Sequence, residues 1–530
     1  MNGKGVGQKQ GDPLDSEHVS PATSRVATQA LFMSLGTATS RVLGLVRESL
    51  FAALFNREIT DAWYVAFKLP NLFRRLFGEG SLSVSLIPIL IQAQKEGRDR
   101  LFISHFFYVF SAFLVILSVL GIIFMEPILT LLLDHQYLAN SHKFDVTLRM
   151  ARTMFIYVYL VCSYALVLGV LNTLGRFGWP ALAPAAFNLC LIGSMFVPEQ
   201  WQSWSGQALA WGVVWGGVLQ LGILVPLLIK HDYWPRLPRQ GAIETYEVFK
   251  KMLPSLLGMG LMQLMVLVNV RFASQFESGI ITYINFADRL LELPLSLISV
   301  SLGSALLPQL ARLWQENRYQ DFTMASVRHL RLNLFLSMGA AVGLVGLAFP
   351  IVEILFQRGQ FSERETLITA SILKVYAISV VFSSLVRVFV PCFYAVKNTW
   401  YPALVSGACL VIHIFLAPLL IKNWSYMGLV ASTVAASVFN FLFLILGYRI
   451  FVGLYPWDYF LKGIIPMLPG AVVMYLVLLS YPYWQSWIGY TFWSKIVILV
   501  LLIGLSLLIY FTIARWLRLD EVTTLLKGRR

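Results

Sequence analysis

Runs of about twenty apolar residues, separated by short polar loops, recur along nearly the whole chain. Each run is long enough to cross about 30 Å of hydrocarbon as a helix. The pattern predicts about fourteen helices, near residues 27–55, 60–92, 101–133, 145–173, 180–198, 207–230, 246–274, 281–314, 327–348, 366–395, 401–422, 425–452, 460–483 and 490–515. Some exceed 25 residues, so tilting, kinking or protrusion from the bilayer is expected. The expected fold class is an all-α polytopic membrane protein.

The pattern also repeats. Leu86-Ile87-Pro88 answers Leu306-Leu307-Pro308 at an offset of 220. Pro127-Ile128-Leu129 answers Pro350-Ile351-Val352 at 223, and Trp179-Pro180-Ala181-Leu182 answers Tyr401-Pro402-Ala403-Leu404 at 222. Three proline-centred matches at nearly one offset predict two homologous six-helix halves, 25–230 and 231–452. Six spans per half give both halves one orientation, with a substrate site between them. Residues 453–517 supply two extra helices, and 1–24 and 518–530 read as polar tails, the first of them disordered.

Loop charge sets the orientation. With a cytoplasmic N-terminus, the outer loops hold only Arg57, Lys143, Arg358, Arg364 and Lys422, and the other loop cations fall inside. This is the positive-inside bias, and it places both termini in the cytoplasm. Aromatic belts at Trp201, Trp204, Trp484 and Trp487 mark the outer interface.

Composition narrows the function. The 530 residues are 58% hydrophobic and 13% charged, where a soluble domain is about a quarter charged. No polar stretch is long enough for a soluble catalytic domain. The net charge of +14 is spread through short loops, which argues against nucleic acid. Cys162, Cys190, Cys392 and Cys409 lie in apolar segments without metal or redox spacing. There is no HExxH, GxSxG or P-loop, so a transporter is expected rather than an enzyme, with no bound metal or cofactor. His413 and Asn269 are isolated polar points in apolar runs, for which packing and interhelical hydrogen bonding suffice.

The informative residues are charges inside the apolar runs, where each costs at least about 2.5–3.5 kcal/mol. The first helix carries Arg41, Arg47 and Glu48, with Arg41 and Glu48 on one face and Gly44 between them. The second carries Asp61, Lys68 and Arg75 in one stripe, with Arg74, and Glu79 placed to pair with Arg75. The eighth carries Asp288, Arg289 and Glu292, with Glu292 placed to pair within the helix. With Arg271 and Arg387, the cations exceed the anions by three, so a cavity lined by them attracts an anion. Arginine donates bidentate hydrogen bonds to phosphate, which makes phosphate the preferred partner.

Ser40-Arg41-Val42-Leu43-Gly44-Leu45-Val46-Arg47-Glu48 resembles the first-helix signature of the MurJ (MviN) lipid II flippase family. Thr60-Asp61-Ala62-Trp63-Tyr64-Val65-Ala66-Phe67-Lys68-Leu69-Pro70-Asn71-Leu72-Phe73-Arg74-Arg75 and Ala287-Asp288-Arg289-Leu290 are similar to further family blocks. The resemblance covers about 25–515 and implies the fold of the multidrug/oligosaccharidyl-lipid/polysaccharide exporter superfamily, two six-helix lobes around a V-shaped cavity. It implies transport of lipid II, the undecaprenyl-pyrophosphate-linked disaccharide-pentapeptide, across the bacterial cytoplasmic membrane by alternating access. It implies that Arg41, Asp61, Arg74 and Arg289 are required and that Arg47 lines the cavity. Substrate binding is then expected of Arg41, Arg47, Asp61, Arg74, Arg75 and Arg289, supported by Glu48, Lys68, Glu79, Asp288 and Glu292. The two extra helices are expected to hold the polyprenyl tail. Glu48 stands where aspartate is common, and Arg271 where a neutral residue is usual. The carboxylates of the sodium site found in some members do not map onto this chain, which leaves membrane potential or an ion gradient as the expected drive. A monomeric transport unit, associated with the cell-wall synthesis machinery, is expected. The rival substrates are another polyprenyl-linked oligosaccharide, or a drug or cation exchanged by an antiporter of the same superfamily. The last needs an acidic cavity.

Overall fold

A computed structural model describes residues 21–176, 178–237, 242–453 and 455–522. The described residues are helical throughout, with no strand among them. The first half supplies α1 (Pro21–Leu54), α2 (Arg57–Phe73), α3 (Leu82–Lys95), α4 (Asp99–Ile123), α5 (Ser141–Thr173), α6 (Ala183–Ser194) and α7 (Gln207–Gly222). The second supplies α8 (Ile243–Ala273), α9 (Ile280–Leu295), α10 (Ser301–Gln315), α11 (Tyr319–Phe356), α12 (Glu363–Ala395), α13 (Trp400–Trp424) and α14 (Tyr426–Phe451). α15 (Met467–Leu478) and α16 (Phe492–Trp516) follow, and shorter turns join the rest.

Among the described residues, nine helices are long and apolar enough to cross a membrane by length and composition. The expected fourteen included helices that fall below that length when taken alone. α2 has 17 residues and α9 has 16, because each is interrupted by a π-helical stretch. Both interruptions follow a proline. Pro70 precedes the π-helix Arg74–Ser81, and Pro294 precedes Ser296–Val300. A proline offers no N–H to the carbonyl four residues back, so the ladder is locally reset. Each proline thus breaks the helix as a π-helical stretch. Elsewhere Asn56 caps α2 by accepting from the Ile59 amide at 2.9 Å, and Ser362 and Glu365 form a capping box on α12.

The repeat is visible in these boundaries. α5 and α12 both have 33 residues, and they begin at Ser141 and Glu363, 222 residues apart. The two π-helices begin at Arg74 and Ser296, again 222 apart. Equivalent helices also hold equivalent places. α5 packs on α2, α3, α4 and α7, while α12 packs on α9, α10, α11 and α14. α8 contacts both sets. It begins against α4, where Phe249 meets Phe106 and Thr245 meets His105, and it ends against α13, where Phe272 meets His413.

α15 and α16 pack on each other and on α11. Tyr510 stacks on Phe335 at 4.6 Å and donates its hydroxyl to the Phe335 carbonyl at 2.9 Å. The segment after α16, expected to be a polar tail, starts as part of this contact. Glu521 is buried 2.5 Å from the guanidinium of buried Arg331, which lies over the Tyr459 ring. A buried arginine on α11 needs a counter-charge, and the chain beyond α16 returns to supply it. Residues 1–20 and 523–530 lie outside the described residues.

Tight helix contacts make glycines testable. A Cβ added at Gly428 would stand 2.3 Å from the Leu420 backbone, which cannot give way, whereas one at Gly407 meets nothing within 4 Å. Gly428→Ala is expected to cost about 1–3 kcal/mol and to lower the melting temperature in detergent. Gly407→Ala should leave it unchanged, and thermal unfolding of the two variants side by side checks this.

Candidate functional site

A cavity of roughly 680 Å³ lies between the two halves, lined from α1, α2 and the π-helix after it, α5, α6, α7, α8, α9, α12 and α14. Arg47, Glu48, Lys68, Arg74, Arg75, Asp288, Arg289 and Glu292 all face it. The first half and α9 therefore deliver their charges to one space, as the spacing predicted.

Each cation is aimed by a partner. The Arg47 guanidinium is hydrogen-bonded to Glu48 and donates to Asn188 Oδ1 on α6 at 3.1 Å. Glu48 also accepts from the Tyr64 hydroxyl, so its charge is spent on orienting Arg47. Lys68 Nζ donates to Asn285 Oδ1 on α9 at 2.8 Å, a bond between the halves. Arg74 Nε donates to Asn71 Oδ1 at 2.8 Å. Glu292 takes Arg289 at 3.1 Å and Arg75 at 3.7 Å, so one carboxylate sits between two arginines from opposite halves. A Cβ at Gly44 would come within 3.0 Å of the Arg289 guanidinium. The bare backbone at Gly44 leaves room for that arginine.

Five cations face three carboxylates, an excess of two. The expected excess of three counted residues that point elsewhere. Arg41 is half-buried on α1 and is not among the lining residues. Glu79 lies in the π-helix after α2, and its side chain falls outside the described residues. Arg75 pairs with Glu292. Arg271 pairs with Asp134 at 3.8 Å, and Arg387 reaches the Leu295 carbonyl at 3.4 Å. Asn71, Asn188 and Asn285, which the charge pattern passed over, hold the cations in place. Their signal was an uncharged amide inside an apolar run, the same signal noted at Asn269.

Asp61 lies elsewhere. It was expected among the substrate-binding residues, and it is wholly buried beyond the cavity. Seven residues carry a helix about 10 Å, so the stripe that puts Lys68 in the cavity puts Asp61 past its end. There Asp61 Oδ2 meets Lys143 Nζ at 2.8 Å and the Gly279 amide at 2.7 Å. Its Oδ1 accepts from the Thr282 amide at 2.9 Å and hydroxyl at 2.7 Å. Lys143 also donates to Ser278 at 3.0 Å. A second cluster lies beside it, where Glu365 accepts from the Tyr283 hydroxyl at 2.8 Å and pairs with Arg57 at 3.1 Å. Asp61–Lys143 and Tyr283–Glu365 each span 82 residues, and Thr60 and Thr282, 222 apart, touch at 2.8 Å. The repeat thus meets itself in a polar seal that ties α2 and α5 to the start of α9 and α12. Gly359 completes it. Its φ is +56°, and a Cβ there would strike the Ala53 carbonyl at 2.2 Å.

The family model for "Lipid II flippase MurJ" matches residues 50–504, a span that holds every cavity charge except Arg47 and Glu48. The chain belongs to the MurJ lipid II flippase family. The probable lipid II flippase MurJ of Bdellovibrio bacteriovorus is 46% identical over 421 residues, covering 78% of this chain and 80% of that one. The lipid II flippase MurJ of Burkholderia cenocepacia is 31% identical, covering 78% and 82%. A solved lipid II flippase MurJ in an inward closed conformation superposes with a TM-score of 0.74 at 25% identity, covering 92% of this chain and 99% of that one. An inward-facing multidrug resistance MATE transporter superposes at 0.66 with 15% identity, covering 78% and 95%, a likeness of fold alone. The MurJ family and the MATE fold agree with the superfamily expected from the sequence.

Breaking a buried ion pair by removing one partner costs about 3–5 kcal/mol, because the other charge stays buried alone. Lys143→Ala should therefore open the seal. In a Cys190→Ser background, a cysteine placed at Ser278 should resist a membrane-impermeant maleimide in the parent and react in the Lys143→Ala variant. Equal labelling of both would refute a closing role for the pair.

Proposed function

We propose that this protein carries lipid II from the inner to the outer leaflet of the bacterial cytoplasmic membrane by alternating access. The observation that carries the proposal is the cavity's excess of cations, contributed by both halves and aimed by asparagine and glutamate partners. The protein is a transporter, not an enzyme, and no covalent bond changes. Arg47, Arg74, Arg75 and Arg289 hold the pyrophosphate, since a guanidinium fork matches phosphate oxygens. Lys68 and Glu292 bridge the halves, and an arriving anion competes for Arg75 and Arg289. Rearranging these bonds couples substrate arrival to motion of one half against the other. Both termini lie in the cytoplasm, which puts the Asp61 seal on the outer side.

Moving a charge through the membrane field is worth about 2.3 kcal/mol per 100 mV, so the cavity's net charge lets membrane potential bias the cycle. One chain encloses the whole cavity, which supports a monomeric transport unit. The undecaprenyl tail stays outside, along α15 and α16, whose outward residues such as Leu501 and Leu508 are exposed. A drug or cation antiporter would need an acidic cavity, and this one is net positive. Another polyprenyl-linked oligosaccharide would meet the same cations, and only family membership favours lipid II over it.

Arg289→Ala and Arg74→Ala should each weaken lipid II binding roughly tenfold to a hundredfold, the worth of a charge-assisted hydrogen bond. Both should fail to rescue a strain depleted of its own flippase, at normal expression, while Arg271→Ala should rescue it. Depletion of the protein should leave lipid II accumulating in the inner leaflet, and its absence there would overturn the assignment. Photo-crosslinkable polyprenyl lipid should label α15 or α16, and labelling confined to other helices would displace the tail from this pair.

A further inference from the structure

The cavity has a second polar wall that carries no charge. Ser379 and Ser383 on α12 and Thr433 and Ser437 on α14 line it, with Tyr376 beside them. Positions 376, 379 and 383 share one helix face at i, i+3 and i+7, and 433 and 437 share another at i, i+4. The four serine and threonine side chains are half-buried, so they border open space.

Their hydrogen bonds have one direction. Ser379 donates to the Tyr376 carbonyl at 2.7 Å, and Ser437 to the Thr433 carbonyl at 3.3 Å. Thr433 donates to the Leu429 carbonyl at 3.1 Å or to Asn269 Oδ1 at 3.3 Å, and Ser383 points its proton at Ser437 Oγ at 3.5 Å. A hydroxyl has one proton and two lone pairs. With the protons so directed, each hydroxyl keeps lone pairs free to accept a hydrogen bond from the cavity. The rest of the lining offers N–H donors from Arg47, Arg74, Arg75 and Arg289.

Pyrophosphate takes its strongest hydrogen bonds from charged guanidinium groups, which this uncharged wall lacks. A sugar is uncharged and rich in O–H and amide N–H donors, which this wall accepts. We infer that the α12–α14 hydroxyl wall is the saccharide subsite, selecting for a neutral, donor-rich sugar attached directly to the clamped pyrophosphate. The inference rests on the lipid II reading. It adds to it how a headgroup is told from a bare polyprenyl pyrophosphate, which the arginines alone would hold equally well. The sugar next to the pyrophosphate, rather than the peptide beyond it, is the group that reaches the wall.

The test compares three ligands on the purified full-length protein in lipid nanodiscs. They are lipid II, the same lipid without its peptide, and undecaprenyl pyrophosphate. Combining Ser379→Ala, Ser383→Ala and Ser437→Ala should weaken the two sugar-bearing lipids by about tenfold or more, each hydroxyl being worth roughly two- to tenfold. Undecaprenyl pyrophosphate should change by less than twofold. Arg289→Ala should weaken all three. Serine-to-threonine changes at the same positions keep the hydroxyls and should retain sugar-lipid binding, which separates lost hydrogen bonds from damaged folding. Unchanged sugar-lipid binding in the triple variant, or equal loss for all three ligands, would overturn the subsite. Loss confined to the peptide-bearing lipid would overturn it in favour of a peptide contact. If the parent binds none of the three lipids, the lipid II reading fails and the subsite fails with it.

Discussion

A fully buried carboxylate that four donors converge on holds the two halves of this protein together. Asp61 sits on α2, its counter-ion Lys143 on α5, and its other donors on Gly279 and Thr282 at the start of α9. Burial makes the arrangement all-or-none. Complete, it offsets the desolvation of two charges, and with one partner gone it leaves a charge that nothing nearby can satisfy. Such a contact does not loosen gradually, which suits a boundary that has to be either shut or open. Glu365, Arg57 and Tyr283 form a second cluster of the same kind beside it.

Behind that seal the cavity is lined by two kinds of polar group. Charged guanidinium groups donate into it, and neutral serine and threonine hydroxyls border it on α12 and α14. Lipid II has the complementary division, an accepting pyrophosphate joined to donating sugars. The carboxylates Glu48 and Glu292 do not compete with the substrate for the whole site. Glu48 is already bound by Arg47 and Tyr64, and Glu292 is the counter-ion that two arginines share.

Duplication accounts for where these parts lie. The offset of 222 residues links the starts of α5 and α12, the starts of the two π-helices, and the touching pair Thr60 and Thr282. The copies have nonetheless diverged in charge. The first contributes Arg47, Lys68, Arg74 and Arg75 to the cavity, and the second contributes the hydroxyl face of α12 and α14 with only α9 charged. A symmetric scaffold thereby encloses an asymmetric site, as an asymmetric headgroup requires.

The apolar periodicity determined the helices, because a chain in lipid has to satisfy its backbone internally. The proline-centred repeat determined the two halves. The cost of a charge in hydrocarbon pointed to Arg47, Lys68, Arg74, Arg75, Asp288, Arg289 and Glu292, and all seven reach the cavity. The same cost could not separate two kinds of destination, since a buried charge is satisfied equally by a substrate or by another residue. Asp61 looked like Lys68 two turns along the same stripe, and only the approach of α5 and α9 made it part of a seal. Arg41 looked like Arg47, and only the position of Asn188 and the bare backbone at Gly44 decided which α1 face meets the cavity. The uncharged wall on α12 and α14 was illegible for a further reason. Serine and threonine cost little in a helix that can accept their protons, so they leave no energetic mark until tertiary structure lines them up on one surface.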